Sequence, residues 1–315
     1  MTATAIENVT AIETEANFKP AIIDFASAAS MEVAPQNEAL LPELAALLPR
    51  GTTLYVAHPP RRQLRDVVRT AIKAQQLGLQ ARPHIVARAL DSEQHLRDAL
   101  NELRAAGIAQ ILLIAGDRSS ASGPFSSTLE LLATGATVDC GMTTVAVAGH
   151  PEGHRSIGPS LLWDALLAKQ AFAQRTGTKV EVITQFGFDP HAVFEWLRRG
   201  REQGISLPVH VGIAGPTPLP RLIRFAMECG IKASLHSLMN NTSAMTGLVR
   251  VAATPDEMLI ALMRGREASA TAAAAIVAPH FFCFGGSVET AQWLRSVIDG
   301  AFTLSADQTR LTYRA

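Results

Sequence analysis

Residues 80–117 read QARPHIVARALDSEQHLRDALNELRAAGIAQILLIAGD. An apolar, partly β-branched run over Ala81–Ala87 leads into an amphipathic stretch over Ser92–Ala106. A second apolar run follows over Gln110–Ile114. Asp91 stands where a helix N-cap belongs, and Gly107 just past the helix end. Strand, helix and strand in this order form a βα unit, because parallel strands need a helical crossover between them.

The same rhythm runs through the chain in both directions. Strands are expected at Ile22–Val33, Thr52–Ala57, Ala81–Ala87, Gln110–Ile114, Thr143–Ala148, Val180–Phe186, Val209–Ala214 and Ala274–Phe284. Helices are expected at Arg62–Gln76, Ser92–Ala106, Ser126–Ala133, Ser160–Gln174, Pro190–Gln203, Leu219–Cys229, Pro255–Arg266 and Val288–Ile298, with Thr254 as a further N-cap and Gly204 and Gly230 as further stops. The strands read as continuous apolar runs, which suits burial on both faces. Eight β/α units over about 250–300 residues match a single-domain (β/α)8 barrel, the TIM barrel. A doubly wound sheet is disfavoured, since no GxGxxG follows the first strand and no Walker loop occurs. Residues 19–302 are assigned to the barrel, with 1–18 and 303–315 as peripheral tails.

Composition narrows the function. Basic and acidic side chains balance at 28 each among 315 residues, which leaves no electrostatic footprint for nucleic acid or an anionic membrane. Apolar residues make up 48 % and charged ones 18 %, so the chain has a large core and is not a disordered polymer. Three cysteines without CxxC spacing argue against a disulfide framework or a thiolate zinc site, and favour a reducing compartment. The N-terminal stretch lacks a basic-then-apolar start, so the expectation is a cytoplasmic protein.

In such barrels, chemistry sits at the C-terminal ends of the strands. Polar residues fall there on six strands: Glu32, His58, His84, Asp117, the group His150, Glu152 and His154, and Gln185. Polar groups converging in an apolar setting need a shared ligand or network. Each has a competing structural role. Asp117 could cap the next helix, Gln185 could bond backbone, His84 could be a packed core imidazole, and His150 and His154 could organise a loop. Phe186 and Phe188 default to packing.

These segments resemble the methylenetetrahydrofolate reductase family. SMEVAP resembles the family's S-F-E-F-F-P, and ARPHIVAR its P-H-L strand. AGD resembles R-G-D, and VAVAGHPEGH is similar to A-Y-P-E-x-H. VITQFGFDPHAVFEWLRR is similar to the I-T-Q-F-F-F-D helix entry, and PVHVGIAGPTPLPRLIRFAMECGI follows in family order. A weaker echo lies at FFCFGGSVETAQWL. The resemblance implies a flavin-bearing barrel that reduces 5,10-methylenetetrahydrofolate to 5-methyltetrahydrofolate with hydride from NADH or NADPH through FAD. It makes Glu32 the general acid, its pKa expected to be raised by an apolar barrel mouth. Asp117 becomes the countercharge near flavin and pterin, Gln185 the amide touching both, and Phe225 the ring stacking on folate or nicotinamide. His84, Gly116, Asp117, Ser126, His150, His154, Asp164 and Lys169 become FAD contacts. Expected partners are these small molecules, with no nucleic acid or membrane, and homo-oligomerisation left open.

The chain also departs from the family. V-T-Y-G-A after strand two is YVAHPPRR here, which loses a threonine contact to the flavin phosphates and offers Arg61 or Arg62 in its place. The arginine of R-G-D is Ala115, the tyrosine before P-E is His150, and the tyrosine near strand eight aligns with Gly285. Two other classes fit parts of the pattern: a metal-dependent hydrolase or lyase using His150, His154, Asp117 and Glu32, and a folate-binding or methyltransferase-type barrel without redox chemistry.

Overall fold

The computed structural model describes residues 18–118, 120–229, 252–253 and 255–313. Eight strands form the barrel: β1 (Ser30–Val33), β2 (Thr53–Val56), β3 (Gln80–Val86), β4 (Gln110–Ile114), β5 (Thr144–Gly149), β6 (Lys179–Thr184), β7 (Val209–Ala214) and β8 (Ile276–Phe282). They close in the order β1-β8-β7-β6-β5-β4-β3-β2, every pairing parallel. The chain is therefore a (β/α)8 barrel, as the βα rhythm predicts.

The surrounding helices follow from apolar spacing. In Leu64–Gln76 the buried apolar side chains are Leu64, Val67, Val68, Ala71 and Ala74, a single stripe at 3.6-residue period. In Glu93–Ala105 the stripe is Leu96, Ala99, Leu100 and Leu103. Ser92, and not Asp91, caps this helix, accepting a bond from the His95 amide at 3.1 Å. Gly107 and Gly204 take positive φ, as helix stops do. Thr254 and Gly230 lie outside the described residues.

Two expected strands shrink at their starts. Residues 18–27, partly inside the expected Ile22–Val33 strand, are helical, and Phe18, Ile22, Phe25 and Ala26 bury one face at helical spacing. The Ala-rich start of the expected Ala274–Phe284 strand belongs to the helix Ala270–Ala275, consistent with alanine's high helix propensity. A helix at Leu41–Leu47 was not anticipated; it buries Leu41 and Leu44. Residues 1–17 lie outside the described set. Beyond residue 302, Phe302–Leu304 pairs antiparallel with Leu311–Tyr313, burying Phe302 and Leu311.

The outward faces of the strands build the main core. Met31, Val33, Leu54, Val56, Ile85 and Ile111 pack against helices in the main core. Inside the barrel lies a separate small cluster of Tyr55, Leu112, Ala146 and Ile183, with Ile114 beside it. A charged pair sits there too. Arg82 on β3 donates to Glu181 on β6 at 2.6 Å, and since β3 and β6 are not neighbours the contact crosses the interior. Arg82 also donates to the Tyr55 hydroxyl at 2.9 Å and to Gln110 at 2.6 Å, and His210 Nε2 lies 3.3 Å from the Glu181 carboxylate.

Burial opposes the ionisation of Glu181, but bonding with His210 and the Arg82 charge more than offset it, so its carboxyl sits well below the usual range. A depressed carboxylate stabilises the fold above its unfolded pKa, about 4.3 for Glu, and the contribution is lost as pH falls through the folded value. Removing one partner strands a buried charge. Glu181→Ala is expected to cost about 3–5 kcal/mol in urea denaturation at pH 7, whereas the Arg82→Met/Glu181→Leu double variant loses much less. Equal losses in the two would mean that the charge pair is not what the single variant disturbs.

Candidate functional site at the barrel mouth

Strand pairing at the closure seam sets Ser30 opposite His280 and Met31 opposite Phe281. Ser30 and His280 are both buried, and Ser30 Oγ lies 2.8 Å from His280 Nδ1. His280 Nε2 faces Glu32 Oε1 at 3.4 Å, one side-chain layer nearer the strand end. A ring nitrogen facing a carboxylate carries the proton, so Nε2–H points at Glu32 and Nδ1 accepts from the Ser30 hydroxyl. His84 Nε2, from β3, lies 3.7 Å from the same carboxylate oxygen and is buried with no hydrogen-bond partner. Two imidazoles thus flank one acid.

The electrostatics differ from the sequence expectation. Burial pushes the Glu32 carboxyl up, but the hydrogen bond with His280 and the nearby His84 and His280 rings pull it down further, leaving it below the usual range. Burial lowers His84 to about 4 and also lowers His280. The resting state at neutral pH is a carboxylate between two neutral rings. The expectation of a raised pKa considered the apolar mouth alone and did not include the imidazoles from β3 and β8.

The other candidates lie on the same rim of the parallel barrel. Asp117 follows β4 by three residues and is exposed. Its loop is pinned by Arg88, which donates to the carbonyls of Gly116 at 3.3 Å, Arg118 at 2.8 Å and Ser126 at 3.2 Å. Gly116 has φ +87°, and a Cβ there would sit 2.4 Å from Val86 Cγ1. Gln185 directly follows β6, and its Oε1 accepts from the Phe186 amide at 3.1 Å. Its NH2 makes no bond to a described residue. Gly212 permits this approach: a Cβ there would meet Thr184 O at 2.5 Å and the Phe282 ring at 2.7 Å.

An aromatic wall stands between β6 and β8. The Phe186 ring lies 4.8 Å from Phe284 and 5.6 Å from Phe282, and Phe225 stacks on Phe284 at 4.6 Å. Phe284 takes φ +47°, a left-handed conformation uncommon for a bulky residue. That turn holds its ring against Phe225, so Phe225's expected stacking face is partly met from within the chain.

On the β5 side, His150 and His154 contact edge to face with centroids 5.0 Å apart. Burial, then the charges of His154 and Lys169, push His150 down to about 4. Lys169 is 6 % exposed and burial lowers it to about 8. No carboxylate pairs with its ammonium among the described residues. Asp164 is exposed and accepts from Ser160 at 3.4 Å. The Ser126 hydroxyl bonds Glu130 at 3.0 Å, beside the Ser127–Glu130 capping box of the helix Thr128–Ala133. Among the described residues, no three His, Cys, Asp or Glu side chains are arranged to hold a metal ion. No described helix is long and apolar enough to cross a membrane.

A family model, Methylenetetrahydrofolate reductase, matches residues 57–246, more than half of the chain. The chain belongs to the methylenetetrahydrofolate reductase family. Membership supports folate reduction in general. Among solved structures, a conserved Enterococcus faecalis protein of unknown function is similar at 12 % identity and a TM-score of 0.38. That likeness covers 60 % of this chain and 49 % of the other, so this chain spans about half the length of that structure.

Sequence reading did not single out Arg88, Tyr55, Arg82, Glu181 or His210. The available signal was a charged or polar residue interrupting an apolar strand, as in VEVIT and VHVGIA. His280 was visible only as an interruption of an apolar run. Gly116→Ala is expected to lower stability by at least about 1 kcal/mol, from the left-handed backbone alone, with a further steric loss against Val86. Adding Val86→Ala should recover only the steric part in thermal unfolding, and full recovery would remove the backbone contribution.

Proposed function

We propose that this chain reduces 5,10-methylenetetrahydrofolate to 5-methyltetrahydrofolate with hydride from NADH or NADPH, using FAD. The observation that carries this reading is Glu32 bonded by His280 and flanked by His84 at the mouth of a barrel of this family, on the rim that also bears Asp117 and Gln185. Simple folate binding does not need an acid held in this way.

The residues present fit FAD. A buried lysine without a counter-ion is costly, and Lys169 beside His150 and His154 suits a phosphate-bearing group. Gly116, Ser126, Asp164 and His84 would complete its contacts. When bound, FAD supplies hydride storage between the nicotinamide and the folate.

The rest is this chain's own chemistry. Opening the folate's methylene bridge to the reactive iminium needs a proton at the bridging amine, and Glu32 delivers it. The resting carboxylate must first gain that proton. A pterin covering the mouth excludes water, which adds to the desolvation already opposing the charge and raises the carboxyl toward its working range. The His280 bond works against this step, so it sets the pH at which Glu32 is loaded. Asp117 supplies negative charge for the cationic iminium, and the Gln185 NH2 donates to the pterin edge. Phe225 and Phe284 provide the apolar wall for the folate or nicotinamide rings.

Glu32→Gln should slow folate reduction by at least about a hundredfold, while nicotinamide oxidation with menadione as acceptor stays near wild type. Equal loss of both activities, or full folate turnover, would remove Glu32 as the acid. Asp117→Asn should slow the folate half-reaction in stopped flow, and unchanged kinetics would refute the countercharge. An acid must be protonated to act, so activity falls as pH rises through its pKa. His280→Ala removes a bond that favours the carboxylate and should move that falling limb to higher pH. A limb that stays put or moves lower would show that His280 does not set the Glu32 proton.

A further inference from the structure

The loop after β4, residues 115–127, reads AGDRSSASGPFSS. Glycine and serine dominate it, so apolar burial offsets little of the entropy lost in fixing its backbone. Yet this loop carries Asp117, whose carboxylate must stand in one place to act as a countercharge. Arg88 holds it. This half-buried residue sits in the short turn Ala87–Ala89 that follows β3. Its Nη1 donates to Gly116 O at 3.3 Å and to Arg118 O at 2.8 Å, the carbonyls on either side of Asp117. Its Nε donates to Ser126 O at 3.2 Å, on the far limb of the loop. The backbone takes part as well: Arg88 N–H donates to Ala115 O at 3.1 Å, and Ser122 N–H donates to Arg88 O at 2.9 Å. One residue thus meets the loop from Ala115 to Ser126.

The shape of the guanidinium, and not its charge alone, suits this task. It is planar and carries its N–H groups in a fixed fork. The two N–H bonds of Nη1 leave at a set angle, so the Gly116 and Arg118 carbonyls are fixed relative to one another, and with them the peptides that flank Asp117. A trans peptide points its N–H opposite to its C=O, so the Asp117 N–H faces away from Arg88. An ammonium in the same place has no second nitrogen to reach Ser126 while it holds the other two carbonyls. Among the described residues the guanidinium bonds go to carbonyls, with no carboxylate at ion-pair distance. Ala115 stands where the family's R-G-D carries an arginine. This chain brings a guanidinium to the loop from the neighbouring strand β3 instead.

We propose that Arg88 is the positioning residue of Asp117: it fixes the peptides on both sides of that residue and so holds the carboxylate on the rim where the cationic folate intermediate forms. The role rests on the folate reading, and Arg88 acts through Asp117 without touching the folate itself.

Folate reduction by Arg88→Met, Arg88→Lys, Asp117→Asn and the Arg88→Met/Asp117→Asn double variant tests it, together with amide hydrogen exchange at Ser122. Arg88→Met should slow folate reduction at least about tenfold through misplacement of the carboxylate. Arg88→Lys should be about as slow, because it keeps the charge and loses the fork. The double variant should be no slower than Asp117→Asn, since Arg88 acts through that carboxylate. Exchange at Ser122 needs neither substrate nor cofactor. Its acceptor, the Arg88 carbonyl, survives both substitutions, so exchange should speed up at least about tenfold in either variant if the guanidinium holds the loop. Should Arg88→Met fail to fold, Arg88→Lys carries both comparisons. Wild-type folate rates in Arg88→Met, rescue by Arg88→Lys, additive losses in the double variant or unchanged Ser122 exchange would overturn the proposal. A wild-type chain that turns over no folate would sink the folate reading, and the exchange result would still decide whether Arg88 holds the loop. An active wild type whose Arg88 variants match it sinks this proposal alone.

Discussion

The register at the closure seam governs the rest of the site. A parallel barrel must join its first strand to its last, and here Ser30 meets His280. Side chains alternate across a strand, so a one-residue slip would turn Glu32 outward and remove it from both imidazoles. The seam therefore does two jobs with one alignment. It completes the hydrogen bonding of the barrel, and it sets Ser30, His280 and Glu32 in line so that the acid's proton depends on residues from both ends of the chain.

Beneath that line the barrel holds charge where many barrels hold branched aliphatics. Arg82, Glu181, Tyr55 and His210 make a connected polar layer. Such a layer is costly to desolvate and tolerable only when its members are paired. It gives the Glu32 layer a rigid polar floor, with the Tyr55 ring 4.7 Å from His280 and 6.0 Å from His84. The aromatic wall and the Arg88-pinned loop complete the rim from the opposite flanks. Glycines at 116 and 212 allow approaches that a Cβ would block.

Much of this was legible in one dimension. The βα rhythm specifies the barrel because continuous apolar strands separated by helices have few other ways to bury both faces. Glu32, Asp117 and Gln185 stand out because each ends an apolar strand with a polar group. The first strand is shorter than its apolar run suggests because AIIDFA is apolar enough for either period, and only packing against the barrel selects the helix over 18–27.

By itself, then, the sequence determined the architecture and the family, since these follow from local periodicity and from motifs in order. The tertiary structure alone decided which side chains meet across the barrel. Arg82 finds Glu181 ninety-nine residues away, and Glu32 finds His280 at a separation of 248. The protonation state of the acid was settled the same way, because a pKa is set by neighbours in space and the two imidazoles that lower it come from distant strands.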